Sequence, residues 1–179
     1  MREKTAVTVL AVGVAVGLVA ACGKPDAVAP KAWAKSVCQA VKPWSSDIRR
    51  LQGEARQKIT AKSDATQTKT ELITLFGGMS QSTDAALVKV RRAGVPDVDG
   101  GKKISDQFIS ALTAAGKSFT MGKDAVAALP TDNPTTFYNG VVKAGDQMSK
   151  ENNKAGEAFS NISSPELDRA FNDVPECGG

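Results

Sequence analysis

The chain of 179 residues contains no histidine. This absence removes the commonest general base, the Ser-His-Asp and Cys-His catalytic arrangements, and zinc or copper sites built on imidazole. The Asp and Glu residues fall mostly on the polar faces of the predicted helices. There they are exposed to solvent and do not converge in the water-poor pocket that acid–base catalysis by paired carboxylates needs. Met79, Met121 and Met148 are far apart in sequence, and we expect them to fill the core rather than to bind Cu(I). The sequence therefore predicts no enzyme, no catalytic residues, no cofactor and no metal site.

Concentrated positive charge is also lacking. Lys and Arg number 23 against 19 Asp and Glu, and the basic residues are spread along the chain. A nucleic-acid-binding domain needs a basic face, so we expect no nucleic acid partner. Short pairs such as Arg91-Arg92 and Lys102-Lys103 suit an anionic membrane surface or wall polymer, but we favour the simpler explanation that they belong to solvated helix faces and helix ends.

The one long apolar run stands at the N-terminus. Arg2 and Lys4 form a basic head, an apolar stretch covers 7–19, and small residues follow. This is the layout of a secretory signal. The run is shorter than the roughly 20 residues that span a bilayer, which disfavours a retained membrane helix. An ordinary cleaved signal and an uncleaved anchor remain the alternatives to the lipoprotein signal considered next.

The end of this segment, Val19-Ala20-Ala21-Cys22, resembles the lipobox of bacterial lipoproteins. The resemblance implies that Cys22 receives a diacylglycerol on its sulfur, that the peptide before it is removed, and that the new amino group is acylated. The domains expected on this basis are a signal peptide over 1–21, a lipidated tether over 22–30 and a folded domain over 31–179. The membrane would then be a partner through Cys22, at the outer face of the cytoplasmic membrane.

Further motifs resemble the small secreted lipoproteins of actinobacteria. Besides the lipobox, the residues that carry this resemblance are Trp33–Cys38, Val41–Trp44, Ala93–Gly101 and Pro175–Cys177. The resemblance implies a helical envelope protein and supplies no catalytic residues.

Once lipid is assigned to Cys22, two cysteines are left, Cys38 and Cys177. Two thiols in an exported domain most simply form a disulfide. A redox-active pair normally occurs as C-x-x-C, and these two are far apart in sequence. We therefore predict a structural bond that fastens the C-terminal tail to the first helix.

Apolar residues recur at steps of three and four along most of the chain, and no stretch keeps the two-residue alternation of a strand. The four long apolar stripes cover residues 33–55, 65–90, 104–129 and 137–162, and a short one covers 167–171. The sequence predicts an all-α fold, an elongated up-and-down four-helix bundle with a short C-terminal helix.

Several residues mark where these helices begin, end or bend. Asp64 is a candidate cap of the second helix and Asn133 of the fourth, and Gly94 is the expected end of the second. Pro43 lies inside the first stripe, and the unbroken phase favours a kink over a stop. The pair Gly77-Gly78 indicates close helix packing or a bend more than a ligand contact.

Asn152 places an amide on the apolar stripe of the fourth helix. It either pairs inside the bundle to fix register, is partly exposed, or lines a small polar cavity that admits a ligand. We expect a non-enzymatic envelope lipoprotein whose bundle contacts an envelope protein or other envelope components. The alternative is a small-molecule or lipid carrier with Gly77, Gly78 and Asn152 at the wall of a cavity in the bundle.

Overall fold

A computed structural model of the chain describes residues 27–160 and 164–178, with the backbone alone for 154–160. The predicted signal peptide, Cys22 and the first part of the tether lie outside these residues. The elements are β1 (Ala27–Val28), α1 (Pro30–Lys58), α2 (Ala65–Arg92), β2 (Val95–Pro96), α3 (Gly101–Ala127), α4 (Pro134–Ser160) and α5 (Pro165–Asp173).

The predicted all-α bundle is confirmed. Helices α1 to α4 pack in chain order, each against the next, and α5 packs against α1. Short loops make consecutive helices antiparallel. The longest helix, α1, has 29 residues and is about 43 Å long at 1.5 Å per residue. No helix in the described part of the chain is long and apolar enough to cross a membrane.

The predicted helix caps are also confirmed. The side chain of Asp64 accepts a hydrogen bond from the backbone N–H of Gln67 at 2.7 Å, and that of Asn133 accepts from Thr136 at 3.0 Å. Gly94, just beyond α2, has φ of 76°, a conformation that glycine adopts without strain. These short-range signals fix where the bundle turns.

Two irregular positions inside the helices have different outcomes. Helix α1 runs through Pro43 without interruption. At Gly78, an added Cβ would lie 3.0 Å from Leu51 Cδ2, so the absence of a side chain lets α1 approach α2 closely. At Gly77 the nearest atom, Lys123 Cδ, would be 3.8 Å away, an ordinary contact. Close helix packing is therefore the reason for Gly78 but not for Gly77.

An aromatic cluster packs α1, α3 and α5 together at one end of the bundle. The Trp33 side chain is fully buried. Its ring meets Phe108 of α3 edge-on at 5.3 Å between centroids and Phe171 of α5 at 6.0 Å. Edge-to-face pairs at these distances add stability beyond the burial of apolar area. The short C-terminal helix is therefore part of the core.

A feature that the sequence did not predict is a short parallel ladder between β1 and β2. Ala27 pairs with Val95 and Val28 with Pro96, and the N–H of Asp97 donates to the carbonyl oxygen of Val28 at 2.8 Å. Two residues are too few to show strand alternation, so both segments resembled loops. Residues 27–30, which the sequence assigned to the tether, belong to β1 and the start of α1 and are therefore part of the fold.

Candidate functional site

Cys38 and Cys177 lie at disulfide-bonding distance. Their sulfur atoms are 2.07 Å apart and their Cα atoms 5.1 Å apart, across 139 residues of sequence. Cys177 also packs on the buried cluster of Ala34, Ala170 and Val174. The bond joins the C-terminal tail, defined here as residues 174–178, to the first half of α1, as the sequence predicts.

Ion pairs hold the same region to α1. Lys31 Nζ lies 2.8 Å from a carboxylate oxygen of Asp173, and Lys35 Nζ lies 2.8 Å from one of Glu176. The hydrogen bond from Lys35, followed by the backbone amide of Glu176, holds the pKa of the Glu176 carboxyl below its usual value. Lys42 donates to the carbonyl oxygen of Gly178. The C-terminal tail is therefore held to α1 by an ion pair and a hydrogen bond as well as by the disulfide.

Carboxylates elsewhere form surface ion pairs. Arg50 lies 3.2 Å from Asp47 and 2.9 Å from Glu54. Its hydrogen bond to Glu54, followed by that to Asp47, raises the pKa of the guanidinium above its usual value. Within residues 27–160 and 164–178, no group of three His, Cys, Asp or Glu side chains is placed to hold a metal ion. Asp47 and Glu54 are thus both engaged with Arg50 on the exposed surface of α1.

Asn152 is half-buried on α4. The nearby apolar cavity between α3 and α4 has a volume of about 80 Å³, and Asn152, Gly77 and Gly78 are not in its wall. Met121 and Met148 both line it. A site for a drug-sized ligand needs about 300 Å³. The structure therefore does not bring together the three residues proposed for a carrier cavity.

A larger depression lies between α1 and α2 near the end of the bundle that carries β1. This cationic groove has a volume of about 350 Å³ and is lined by Ser36, Gln39, Ala40, Lys89, Arg92 and Ala93. No acidic side chain is among these lining residues. Lys89 and Arg92 stand three positions apart in the last turns of α2, where both are exposed.

Sequence reasoning missed this groove. The pair Arg91-Arg92 was noted as suiting an anionic surface, with a solvated helix end as the favoured explanation, and no groove beside it was predicted. Lys89 and Arg92 share one face of α2 because residues three apart are neighbours on a helix. That spacing was the available signal, but the opposing wall of α1 depends on how the two helices pair.

No family model, curated protein or solved structure matches this chain significantly. Its function must therefore be inferred from its own residues and their arrangement. Two features are assembled along the first half of α1: the Cys38–Cys177 bond on the side of α5, and the cationic groove on the side of α2.

Proposed function

We propose that this protein is an exported lipoprotein, anchored through Cys22 at the outer face of the cytoplasmic membrane. Its helical bundle acts without catalysis, by contact with an envelope protein or other envelope components. The observation that carries the proposal is the pairing of Cys38 with Cys177, which joins the C-terminal tail to α1 across 139 residues of sequence. Such bonds form and persist in oxidising compartments, the setting that the lipobox-like segment implies.

The way the chain enters the fold supports display close to a membrane. Ala27 is held in the ladder with Val95. Five residues lead from Cys22 to Ala27, and five residues reach at most about 18 Å. A lipid on Cys22 would therefore keep the β1 end of the bundle near the bilayer surface.

The rigidity of that end is a second support. The C-terminal tail is tied to α1 by the disulfide and by the Lys35–Glu176 ion pair. The N-terminal strand is tied to the loop after α2 by the hydrogen bond from Asp97 to Val28. Strand β1 and the C-terminal tail thus lie at the same end of the bundle, which leaves the rest of the bundle to present its surface.

A carrier has less support from the geometry. The cavity between α3 and α4 is small, about 80 Å³. The space beside Gly78 is filled by the side chain of Leu51. A ligand of drug size would require the helices to separate. We therefore favour contact at the surface over binding in the core.

Intact-mass analysis of the protein from bacterial membranes tests the anchor. The expected mass is that of a chain beginning at Cys22 and carrying diacylglyceryl, and Cys22→Ser should lack the modification and be mislocalised. Cys38→Ser is the matched control, because it removes a thiol but should leave the lipid in place. An unmodified Cys22 in the membrane-bound protein, or unchanged attachment of Cys22→Ser, would contradict the proposal.

A further inference from the structure

The geometry points to a phosphate-binding site in the cationic groove, occupied by the headgroups of anionic lipids. The ligand class is a phosphate mono- or diester, and the donors are Gln39, Lys89 and Arg92. The phosphate chemistry follows from the groove itself, whereas the lipid source rests on the proposed membrane anchor.

The charge of the groove lacks a counter-charge within the protein. Three other lysines at this end of the bundle have acidic partners, in the pairs Lys31–Asp173, Lys35–Glu176 and Lys102–Asp106. In the described part of the chain, Lys89 and Arg92 form no ion pair. Two uncompensated cations at the wall of one groove attract a multivalent anion. Guanidinium binds phosphate through two parallel hydrogen bonds, and ammonium acts as a point charge.

The wall of the groove formed by α1 carries polar side chains, and the floor carries only small ones. The Gln39 amide can donate to a phosphate oxygen. The Ser36 hydroxyl donates to the carbonyl oxygen of Ala32 at 3.0 Å, so its own proton is already engaged. Ala40 and Ala93 are buried at the floor, and their small side chains leave the groove open. The site therefore offers donors on both walls without a competing carboxylate.

The packing around the groove fixes its width. Ala40 of α1 packs with Val90 of α2 in one buried cluster, directly beside the lining residues. The indole N–H of Trp33 donates to the carbonyl oxygen of Gly94 at 3.0 Å, which joins α1 to the end of α2. The two walls are consequently held in register before any ligand arrives, which lowers the ordering cost of binding.

The position of the groove favours lipid headgroups as the source of phosphate. Arg92 comes three residues before Val95, which pairs with Ala27 at the end of the tether. The tether can extend only about 18 Å from Cys22. Basic side chains so close to an anionic surface are attracted to it, and they strengthen the attachment that acyl chains provide.

Acetylation of Lys89 measures occupancy at the site. The full chain, reconstituted in vesicles of phosphatidylcholine alone or mixed with phosphatidylglycerol, is treated with an amine-acetylating reagent, and each lysine is quantified by mass spectrometry. Phosphatidylglycerol should slow acetylation of Lys89 several-fold. Lys103 is the internal control, because it is exposed at the same end of the bundle but lies outside the groove.

Two neighbouring arginines provide matched variants. Arg92→Gln should weaken the protective binding at least tenfold, because it removes the charge-assisted hydrogen bonds of the guanidinium. Arg91→Gln removes the same charge from an exposed residue that does not line the groove, and it should leave protection of Lys89 unchanged. Thermal melting of both variants checks that the fold is intact.

A second arm, glycerol 3-phosphate with phosphatidylcholine vesicles, separates the sources of phosphate. Protection by phosphatidylglycerol but not by glycerol 3-phosphate supports a site for lipid headgroups. Protection by both compounds supports a phosphate site that also takes soluble phosphate esters. Absence of protection by phosphatidylglycerol, equal protection of Lys103, or equal loss in the two arginine variants would overturn the proposal. Free phosphate needs no anchor, so a failure of lipidation at Cys22 and a failure of the groove are separate results.

Discussion

The indole N–H of Trp33 and the hydroxyl of Ser105 donate to the same backbone oxygen, the carbonyl of Gly94, each at 3.0 Å. Trp33 lies on α1, Ser105 on α3, and Gly94 in the loop that follows α2. One carbonyl group thus joins three helices at the end of the bundle where β1 and the C-terminal tail also converge.

Removal of both donors should cost more than the two single losses together. Ser105→Ala should lower the free energy of unfolding by about 1 kcal/mol, the net value of one hydrogen bond. Trp33→Phe also loses packing, so its cost should be larger. In the double variant the partly buried carbonyl of Gly94 loses both side-chain donors, and a coupling of about 0.5 kcal/mol or more is expected. Urea denaturation of the four proteins measures it, and strictly additive losses would contradict a shared acceptor.

Reduction of the Cys38–Cys177 bond should destabilise the fold markedly. The bond closes a loop with a sequence separation of 139 residues, and in the chain-entropy model that is worth on the order of 4 to 5 kcal/mol, less any strain. We expect dithiothreitol to lower the melting temperature of the unaltered protein. Cys177→Ala should melt at that same lower temperature whether or not dithiothreitol is present.

Cys22→Ser is the control for this prediction. It removes the remaining thiol of the chain but not the pair, so its response to dithiothreitol should equal that of the unaltered protein. A melting curve that ignores the reductant would indicate that Cys38 and Cys177 are free thiols in solution.

Two helical glycines should respond to alanine with opposite signs. A Cβ on Gly101, at the start of α3, would overlap the carbonyl oxygen of Pro96, whereas a Cβ on Gly53 within α1 would have no atom within 4 Å. Gly101→Ala should therefore destabilise by about 1 to 3 kcal/mol, as overpacking against backbone does. Gly53→Ala should stabilise by about 0.5 to 1 kcal/mol, because alanine is the better helix former.

Denaturant midpoints of these two variants give the comparison directly. If both alanines were tolerated equally, the loop containing β2 would have to be free to move away from α3. Such a result would also weaken the assignment of the β1–β2 ladder, since the same loop carries Val95 and Pro96.

The fold was predictable wherever the signal is local. The cap at Asp64 and the turn at Gly94 follow from residue types within one helical turn, and the apolar stripes follow from helical periodicity. The Cys38–Cys177 pair was predictable for a different reason, because assigning Cys22 to lipid left a single pair. Local signals carry no comparable information about which distant segments meet.

The missed features all depend on such distant contacts. The ladder pairs Ala27 with Val95, and the groove lies between Gln39 of α1 and Arg92 of α2. Each contact is set by the register in which whole helices pack, and a change of register would place different side chains opposite one another. Asn152 shows the converse limit: helical periodicity puts it on the apolar stripe, but on α4 it is half-buried and lies outside the wall of the nearby cavity.

The contact between the C-terminal tail and α1 should weaken in acid through Glu176. The ion pair with Lys35 lowers the pKa of this carboxyl in the folded protein. A carboxyl whose pKa is lower when folded stabilises the fold at pH values above its unfolded pKa, and that contribution is lost as the pH falls through the folded value. Carbon-detected NMR titration should show Glu176 protonating below the usual range of glutamate, and Lys35→Gln should shift its pKa upwards. The difference in melting temperature between the unaltered protein and Glu176→Gln should be present at neutral pH and vanish in acid; a difference that stays constant with pH would show that Lys35 does not stabilise the charged form.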